Sequence, residues 1–541
     1  MLQTLAVIGR EFALSLVRRV VDGATDDELE RMLADLQMAE FIYEQPATGD
    51  VEYIFKHALT QEVAYNSLLI ERRKQLHERA GQALESLFAG QLEDHLDELA
   101  HHYSRSDNIA KAVEYLGQAG QQAAQRSSYS EAMSRFTAAI DLLQKLPDSP
   151  ERSQRELLLQ LALGPALNVL RGFAAPETER AFTRARELCE RLGDPPELSP
   201  ALFGLGAMHL VRGDLRKASR LAEQLLRLAQ NARVPELTLN ARSALGHITF
   251  WMGEFLSAQE HLETAIALYD PEHQRSRLLN GLGFDAGVFS LSCAAATLWQ
   301  LGYPDQALHR GTEALALAQR LSHPYSLAFA EFFVGLLRQN RREAREAREN
   351  AEYMNALSAE HGLTEFFAYG TSLGGWEMAA QGRHEEGIAL IQEGLAASHG
   401  RGQELIRPYL LCMLAEVCLE TGRLDDALNA LTEAAAATDQ REERQSEAEI
   451  FRLKGELLLR QDDSNTTEAQ LCFERAIEIA KSQSAKSWEV RATTSLARLL
   501  AKQGRRDEAR TMLAEIYGWF TEGFDTADLK DAKSLLDELT G

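Results

Sequence analysis

A six-residue phrase returns about every 40 residues along this chain: GDLRKA from Gly213, GEFLSA from Gly253, GYPDQA from Gly302, GRLDDA from Gly422 and GRRDEA from Gly504. In each copy the glycine stands where a tight turn between two antiparallel helices needs a permissive backbone, and the alanine five residues on lets the second helix approach the first. A small residue stands seven positions upstream of each turn, two helical turns away, at Gly206, Gly246, Ala295, Ala415 and Ala497. Downstream, Ala218, Ala222 and Leu225, or Ala258, Leu262 and Ala265, give each second helix one packed face. Weaker copies fit the frame at Asp107 to Ala112, Ser127 to Ala132, Gln339 to Ala344, Gly382 to Gly387 and around Ala469, after a short insertion at Asp462 to Thr467. The periodicity predicts roughly ten or eleven stacked helical hairpins, an all-α, right-handed superhelix.

A solenoid resolves the problem that 541 residues pose for a single compact core, because each hairpin needs only its neighbours to bury its face. The formal net charge of -24 argues against a nucleic-acid or anionic-membrane surface. The N-terminus carries no basic segment followed by an apolar run, and no stretch approaches the ~18 apolar residues of a membrane span, so a cytoplasmic protein is expected. Cys189, Cys293, Cys412, Cys418 and Cys472 are scattered through helices without CxxC pairs and read as buried small hydrophobes. Glu98, His101 and His102 have a carboxylate-to-histidine spacing but no matching second helix, and His77 and His95 lack partners at ligand spacing, so no metal site is expected.

The first hundred residues leave the repeat. Thr25-Asp-Asp-Glu28 is a capping box that opens an amphipathic helix carrying Leu29, Leu33 and Leu36. Two alternating segments, Phe41 to Gln45 and Val51 to Phe55, flank the turn-rich Pro46-Ala-Thr-Gly-Asp50, which predicts a two-stranded ribbon. Helices followed by such a ribbon suggest a small winged helix. Thr60 is then expected to cap one long helix through Val63, Leu68, Leu69, Leu76, Ala80, Leu84 and Leu87. Acidic side chains outnumber basic ones in this region, and Asp26, Asp27, Glu28, Glu30 and Asp35 on the capped helix would repel phosphates, so a docking role between domains is favoured over DNA binding.

The small-residue and turn pattern resembles the tetratricopeptide repeat, with a period longer than the usual ~34 residues. The longer helices resemble the sensor solenoid of maltose-regulon activators. FIYEQ, then EYIFKHALTQEVAYNSLLIERRKQLHERAGQALE, LAHHYSRSDNIAKAVEYLGQAG and RELLLQLALGPALNVLRGFAAPETERAFTRARELCERLGD resemble the C-terminal half of bacterial class III adenylate/guanylate cyclase proteins. In that family a cyclase domain and a STAND-type P-loop NTPase precede a winged helix and a tetratricopeptide array. The resemblance implies that residues 1–541 begin after both domains: no GxxxxGK[ST] loop occurs here, so ATP and Mg belong only to the upstream domains, and this chain carries no cofactor and no catalytic residues of its own. It also implies a role for His57, in Phe55-Lys56-His57-Ala58-Leu59, placed like the histidine of the Met-His-Asp motif with which related STAND NTPases touch the nucleotide diphosphate. The aspartate is missing here, and a histidine merely packed at a strand-helix junction is the other reading.

Counting from the small residue of each first helix, the concave side of the array should carry Phe203, His247, Phe250, Trp299, Phe329, Phe333, Tyr369, Trp376 and Tyr409, and then Glu449, Arg452, Glu456, Arg491 and Arg498 near the C-terminus. Two readings stand: an exposed aromatic groove for a peptide, protein or small-molecule effector, or large residues that pack against the adjacent repeat. The expected organisation is a winged-helix domain at 1–60, a linking helix and first hairpins at 61–146, the superhelix at 147–524 and a capping helix at 525–541. The function expected is a non-catalytic sensor and interaction module partnered with upstream or separate NTPase and cyclase domains. A free-standing scaffold, and the solenoid half of a maltose-activator-like regulator, are the alternatives.

Overall fold

The computed structural model describes residues 1–21, 23–45, 50–193, 197–271 and 285–540. Of the expected turn at Pro46 to Asp50, residues 46–49 lie outside them. The described residues are almost wholly helical, with one small sheet, and divide into two compact units, Met1–Ala166 and Leu167–Gly541.

The first unit opens with α1 (Leu2–Ile8), β1 (Glu11–Ala13), α2 (Leu14–Val20), α3 (Asp26–Met38), β2 (Ile42–Gln45) and β3 (Glu52–Phe55). The capping box forms at α3, where the Thr25 amide donates to Glu28 Oε2 at 2.9 Å and the Glu28 amide donates to Thr25 Oγ1 at 3.4 Å. The sheet has three antiparallel strands in the order β1-β3-β2, not the expected two, because Glu11, Phe12 and Ala13 pair with Ile54, Tyr53 and Glu52. Three residues are too short a run to show a period of two. The expected long helix is also two helices, α4 (Ala58–Asn66) and α5 (Ile70–Leu87), and the residue at the N-cap of α4 is His57 rather than Thr60. The break lets Leu68 pack with Val7 and Leu76, and the Ser67 hydroxyl donates to the Ala64 carbonyl at 2.7 Å in place of a continuing helix. Helices Leu96–Ser104, Ile109–Gln125 and Tyr129–Leu143 follow, with Ala112 and Ala132 buried where the repeat frame puts its close-approach alanines.

In the second unit, helices Pro150–Arg171, which spans the division, and Pro176–Leu192 lead into eight described hairpins, from Leu198–Val211 with Leu215–Ala232 to Lys486–Lys502 with Arg506–Tyr517, and Ala527–Thr540 covers the last. The turn glycines adopt left-handed backbone, φ 77° at Gly213 and 74° at Gly422. In the fourth hairpin Arg342 takes that conformation, φ 60°, and Ala347 is the close-approach alanine, so the frame there starts three residues later than the expected Gln339 to Ala344. First helices form an inner layer and are buried nearly all round, as in Pro324–Asn340. Second helices bury one stripe only, as Leu215–Ala232 does through Leu215, Ala218, Ala222, Leu225 and Ala229.

In the fifth hairpin the two backbones approach each other closely at Gly375 and Gly387. A Cβ on Gly375 would lie 2.7 Å from the Gly387 carbonyl oxygen, and one on Gly387 would lie 2.5 Å from that of Gly375. Neither neighbour is a side chain that could turn away. Gly387→Val is therefore expected to destabilise the chain by about 1–3 kcal/mol, seen as a lower urea midpoint with unchanged helix content at zero denaturant.

The superhelix closes on itself after five hairpins. The carbonyl of Val211, ending the first inner helix, accepts the amides of Glu404 and Leu405 at the entrance to the sixth hairpin, at 3.0 and 3.1 Å. The carbonyl of Trp251, ending the second, accepts those of Arg444 and Gln445 at the entrance to the seventh, at 2.9 and 3.2 Å. The Ser487 hydroxyl of the eighth donates to the carbonyl of Trp299 in the third. Successive turns of the superhelix thus touch, and among the described residues no open concave groove separates them.

Candidate binding cavity and docking surface

Closure moves the expected groove residues indoors. Phe203, His247, Phe250, Trp299, Phe329, Phe333, Trp376 and Tyr409 are buried, with Phe333 fully so, and Tyr369 is half-buried between Phe332 and Phe366. They form no exposed stripe. The cause is contact between inner helices five hairpins apart, such as Trp299 against Trp488 with ring centroids 4.9 Å apart. The structure nonetheless gathers several of them around two recesses.

The larger is an apolar cavity of about 80 Å³ among the first four inner helices, lined by Phe203, His247 and Phe329 together with Phe173, Phe289 and Tyr325. Small residues, Gly206, Ala207, Ala222 and Ala244, leave the room. Phe289 and Phe329 stack at 4.5 Å, and the His247 ring meets Phe289 edge-on at 4.8 Å, with Phe333 at 5.7 Å and Trp251 at 6.1 Å. His247 is 5% exposed and its Nδ1 has no hydrogen-bond partner. An orphaned buried polar atom of this kind costs about 1–3 kcal/mol. Burial drives the imidazole pKa down to about 3, so the ring is neutral.

The smaller recess, about 10 Å³, is bounded by Phe250, Trp299 and Tyr409 with Trp251, Gln300, Asn340 and Gln445. Tyr409 donates its hydroxyl proton to Gln339 Oε1. Further along the axis the charged residues expected near the C-terminus pair in the interior: Arg452 reaches Glu449 at 2.6 Å, and Arg491 reaches Asp528 at 2.6 Å and the Asn340 carbonyl at 2.9 Å. Glu456 accepts from the Ser495 hydroxyl at 2.7 Å, while Arg498 is half exposed.

Two buried carboxyl groups on this axis went unread in the sequence. Tyr325 donates to Glu365 Oε1 at 2.7 Å and Gln403 Nε2 to Oε2 at 3.2 Å, and burial raises the Glu365 pKa to about 7. Glu443 accepts the Ile406 amide at 3.0 Å, and burial raises its pKa to about 8. Both glutamates stand at or near the entrance of an inner helix, where an acidic residue ordinarily signals a helix start.

In the first unit His57 is exposed, and its side chain makes no capping bond. Beside it on α4 lie Leu59 and Val63, 69% and 61% exposed and one helical turn apart, and the break before α5 exposes Leu69 and Ile70 at 81% and 68%. His77, expected to be partnerless, shares a hydrogen bond of 3.0 Å with His102 through the two Nδ1 atoms, and its Nε2 lies 3.0 Å from the Tyr65 hydroxyl. Burial lowers the pKa of both imidazoles to about 3, so the pair is neutral and each nitrogen's role is fixed by its partner. Among the described residues no group of three or more His, Cys, Asp or Glu is arranged to hold a metal ion, and no helix is long and apolar enough to cross a membrane.

Comparison with known proteins places tetratricopeptide repeats in this array: residues 199–224, 408–440 and 490–515 match that family, in the first, sixth and eighth hairpins. An uncharacterized protein of Rhizobium meliloti (strain 1021) is 26% identical over 505 residues, which are 92% of this chain and 48% of that protein. The chain thus spans about half the length of the curated relative it matches. Among solved structures, a Rap protein complexed with competence and sporulation factor is similar over 74% of this chain and 99% of its own, at 12% identity and a TM-score of 0.46. A STAND protein with a tetratricopeptide repeat sensor from Pyrococcus horikoshii is similar over 99% of this chain and 64% of its own, at 14% identity and a TM-score of 0.32.

Proposed function

We propose that this chain, with its tetratricopeptide repeats, is the non-catalytic sensor and interaction half of a signalling protein of the class III nucleotide cyclase kind. In this reading α1 to β3 form a winged helix that docks on a STAND-type NTPase, and the superhelix takes an effector that biases the NTPase between closed and open states. An effector can do so only by binding the two states with different affinity.

The observation that carries the docking is the apolar surface that Leu59 and Val63 expose one helical turn apart on α4, just after His57 in the chain, left uncovered in a strongly acidic chain. Contiguous exposed apolar side chains mark a site of association. His57 at its edge would present an imidazole to the nucleotide phosphates of the docked domain and so couple nucleotide state to the position of the winged helix.

The test begins with the coding DNA in frame upstream of Met1, where a cyclase domain and a GxxxxGK[ST] loop are expected; a stop codon and an unrelated neighbour would sink the reading. In the longer polypeptide, Leu59→Asp with Val63→Asp is expected to release the docked domain, since burying each such side chain contributes about 1.5–3 kcal/mol. The NTP turnover rate should change more than tenfold, while the melting temperature of residues 1–541 by themselves should be unaltered because both positions are exposed there. Unchanged turnover in that variant and in His57→Ala would contradict the docking role.

A further inference from the structure

We propose that the contact between successive turns of the superhelix is a reversible seam: the sixth to eighth hairpins part from the first four in one movement, and the segment that follows the eighth hairpin latches them together. The device lies within the second unit and does not depend on the docking role proposed above.

The seam is built differently from the inside of a hairpin. A hairpin buries stripes of alanine and leucine, such as Ala218, Ala222 and Leu225. Where the turns meet, four buried side-chain atoms border one recess without a hydrogen-bond partner: Nε1 of Trp251 in the second hairpin, Oε1 of Gln300 in the third, Oδ1 of Asn340 in the fourth, and Oε1 of Gln445 at the entrance to the seventh. The recess of about 10 Å³ admits one water at most, and a water's two protons do not suffice for three acceptor oxygens. Each stranded atom gave up water when the turns closed and gained no partner, a standing cost that parting removes. The direct bonds across the seam are themselves polar: the Val211 and Trp251 carbonyls, the Ser487 hydroxyl on Trp299, Arg491 on the Asn340 carbonyl, and the Arg216–Glu442 ion pair at the surface. Polar contacts of this kind between parts of one chain go with relative motion.

The latch is Glu522. From beyond the eighth hairpin it reaches the third, where its Oε1 accepts the amides of Asp305 and Gln306 at 2.9 and 3.0 Å, in the first turn of helix Pro304–Leu321, and its Oε2 accepts from Gln306 Nε2 at 2.9 Å. Asp305 Oδ2 accepts the Gly523 amide at 2.9 Å in return. The three bonds of Glu522 lie at the surface, open to competition from water, and can be released while the hairpins stay folded. Parting separates Trp299 from Trp488 and uncovers the aromatic inner face, on which an effector that prefers the parted form would hold the turns open.

Hydrogen exchange of residues 1–541, read amide by amide by mass spectrometry, tests the seam without a ligand. Leu405 and Gln445, whose amides donate across the seam to Val211 and Trp251, are expected to exchange through one shared opening with a common urea dependence, since that slope reports the surface exposed. Glu522→Ala should speed exchange at both by about tenfold, the worth of a single net hydrogen bond, and leave amides within the inner helices as protected as before. Gln300→Met, which removes one stranded oxygen and keeps the volume of the side chain, should slow it by about fivefold or more. Independent rates or no urea dependence at Leu405 and Gln445, as fraying of each entrance alone gives, would overturn the proposal. So would unchanged exchange in Glu522→Ala, exchange raised equally inside the inner helices, or unslowed exchange in Gln300→Met. Should a variant fail to fold, the urea dependence of the wild-type amides decides by itself.

Discussion

Arg491→Leu is expected to destabilise the second unit by about 3–5 kcal/mol, the cost of leaving buried charges without their partner. The guanidinium makes its strongest contact with Asp528, at 2.6 Å, donates to the Asn340 carbonyl at 2.9 Å, lies 3.7 Å from Glu449, and stacks over Trp488 and Trp299 at 4.8 and 5.7 Å. Leucine would occupy much of the stem's space but would take from Asp528, whose side chain is 12% exposed, its closest cation, while Glu449 keeps its pair with Arg452. Arg491→Lys should rescue little, since an ammonium can neither bond Asp528 through two nitrogens nor lie flat on the tryptophans.

The pH dependence follows from the same groups. Burial opposes ionisation of Asp528 and Glu449, but the arginine charges and hydrogen bonds outweigh it and hold both below the usual carboxylate range. Their stabilisation is therefore complete above the unfolded carboxylate value of about 4 and is lost as pH falls through the lower folded values. Urea midpoints for wild type and Arg491→Leu should differ most near neutral pH and converge in acid. A constant gap down to strong acid would show that lost packing, not stranded charge, accounts for the effect.

Glu443→Gln is expected to act in the opposite direction and to stabilise the chain. The Glu443 pKa, raised by burial to about 8, stands far above its unfolded value near 4.3. Below pH ~4.3 both states are protonated and nothing is lost; between there and pH ~8 the unfolded state releases the proton and the folded state keeps it, so stability declines by about 1.4 kcal/mol per pH unit. The full decline approaches ~5 kcal/mol. Glutamine keeps an acceptor for the Ile406 amide and has no proton to retain, so the variant should be a few kcal/mol more stable at pH ~8 and its midpoint should vary less between acid and alkaline buffers. Glu365, raised to about 7, adds a decline of the same sign and slope that ends about one pH unit lower and is correspondingly smaller in total. An unchanged slope in the variant would mean that Glu443 ionises within the folded chain.

The hairpins were legible because their determinants are local: a left-handed glycine such as Gly213 and a buried alanine such as Ala218 sit five residues apart. Where an arginine takes the left-handed position, as Arg342 does, the same turn slipped the reading by three residues. The aromatic residues of the inner layer were found at the right positions and given the wrong surroundings, since exposure at Trp299 depends on a helix 188 residues away. His77 and His102 meet across 25 residues and two helices, and nothing in either segment foretells it. Glu365 and Glu443 illustrate a further limit, because a buried acid and a helix-opening acid are spelled alike.

The contact between hairpins five apart also fixes the length of the array. Repeat proteins ordinarily evolve by gaining or losing single units, a change felt only by the immediate neighbours. Here one deletion between Trp251 and Arg444 would slide every downstream hairpin against the wrong partner, bringing the Trp251 carbonyl opposite the entrance of the eighth unit and leaving the first turn a unit short. Divergence in this chain is thereby steered away from unit number and toward the solvent faces of the second helices, where sequence can drift without disturbing the stacking.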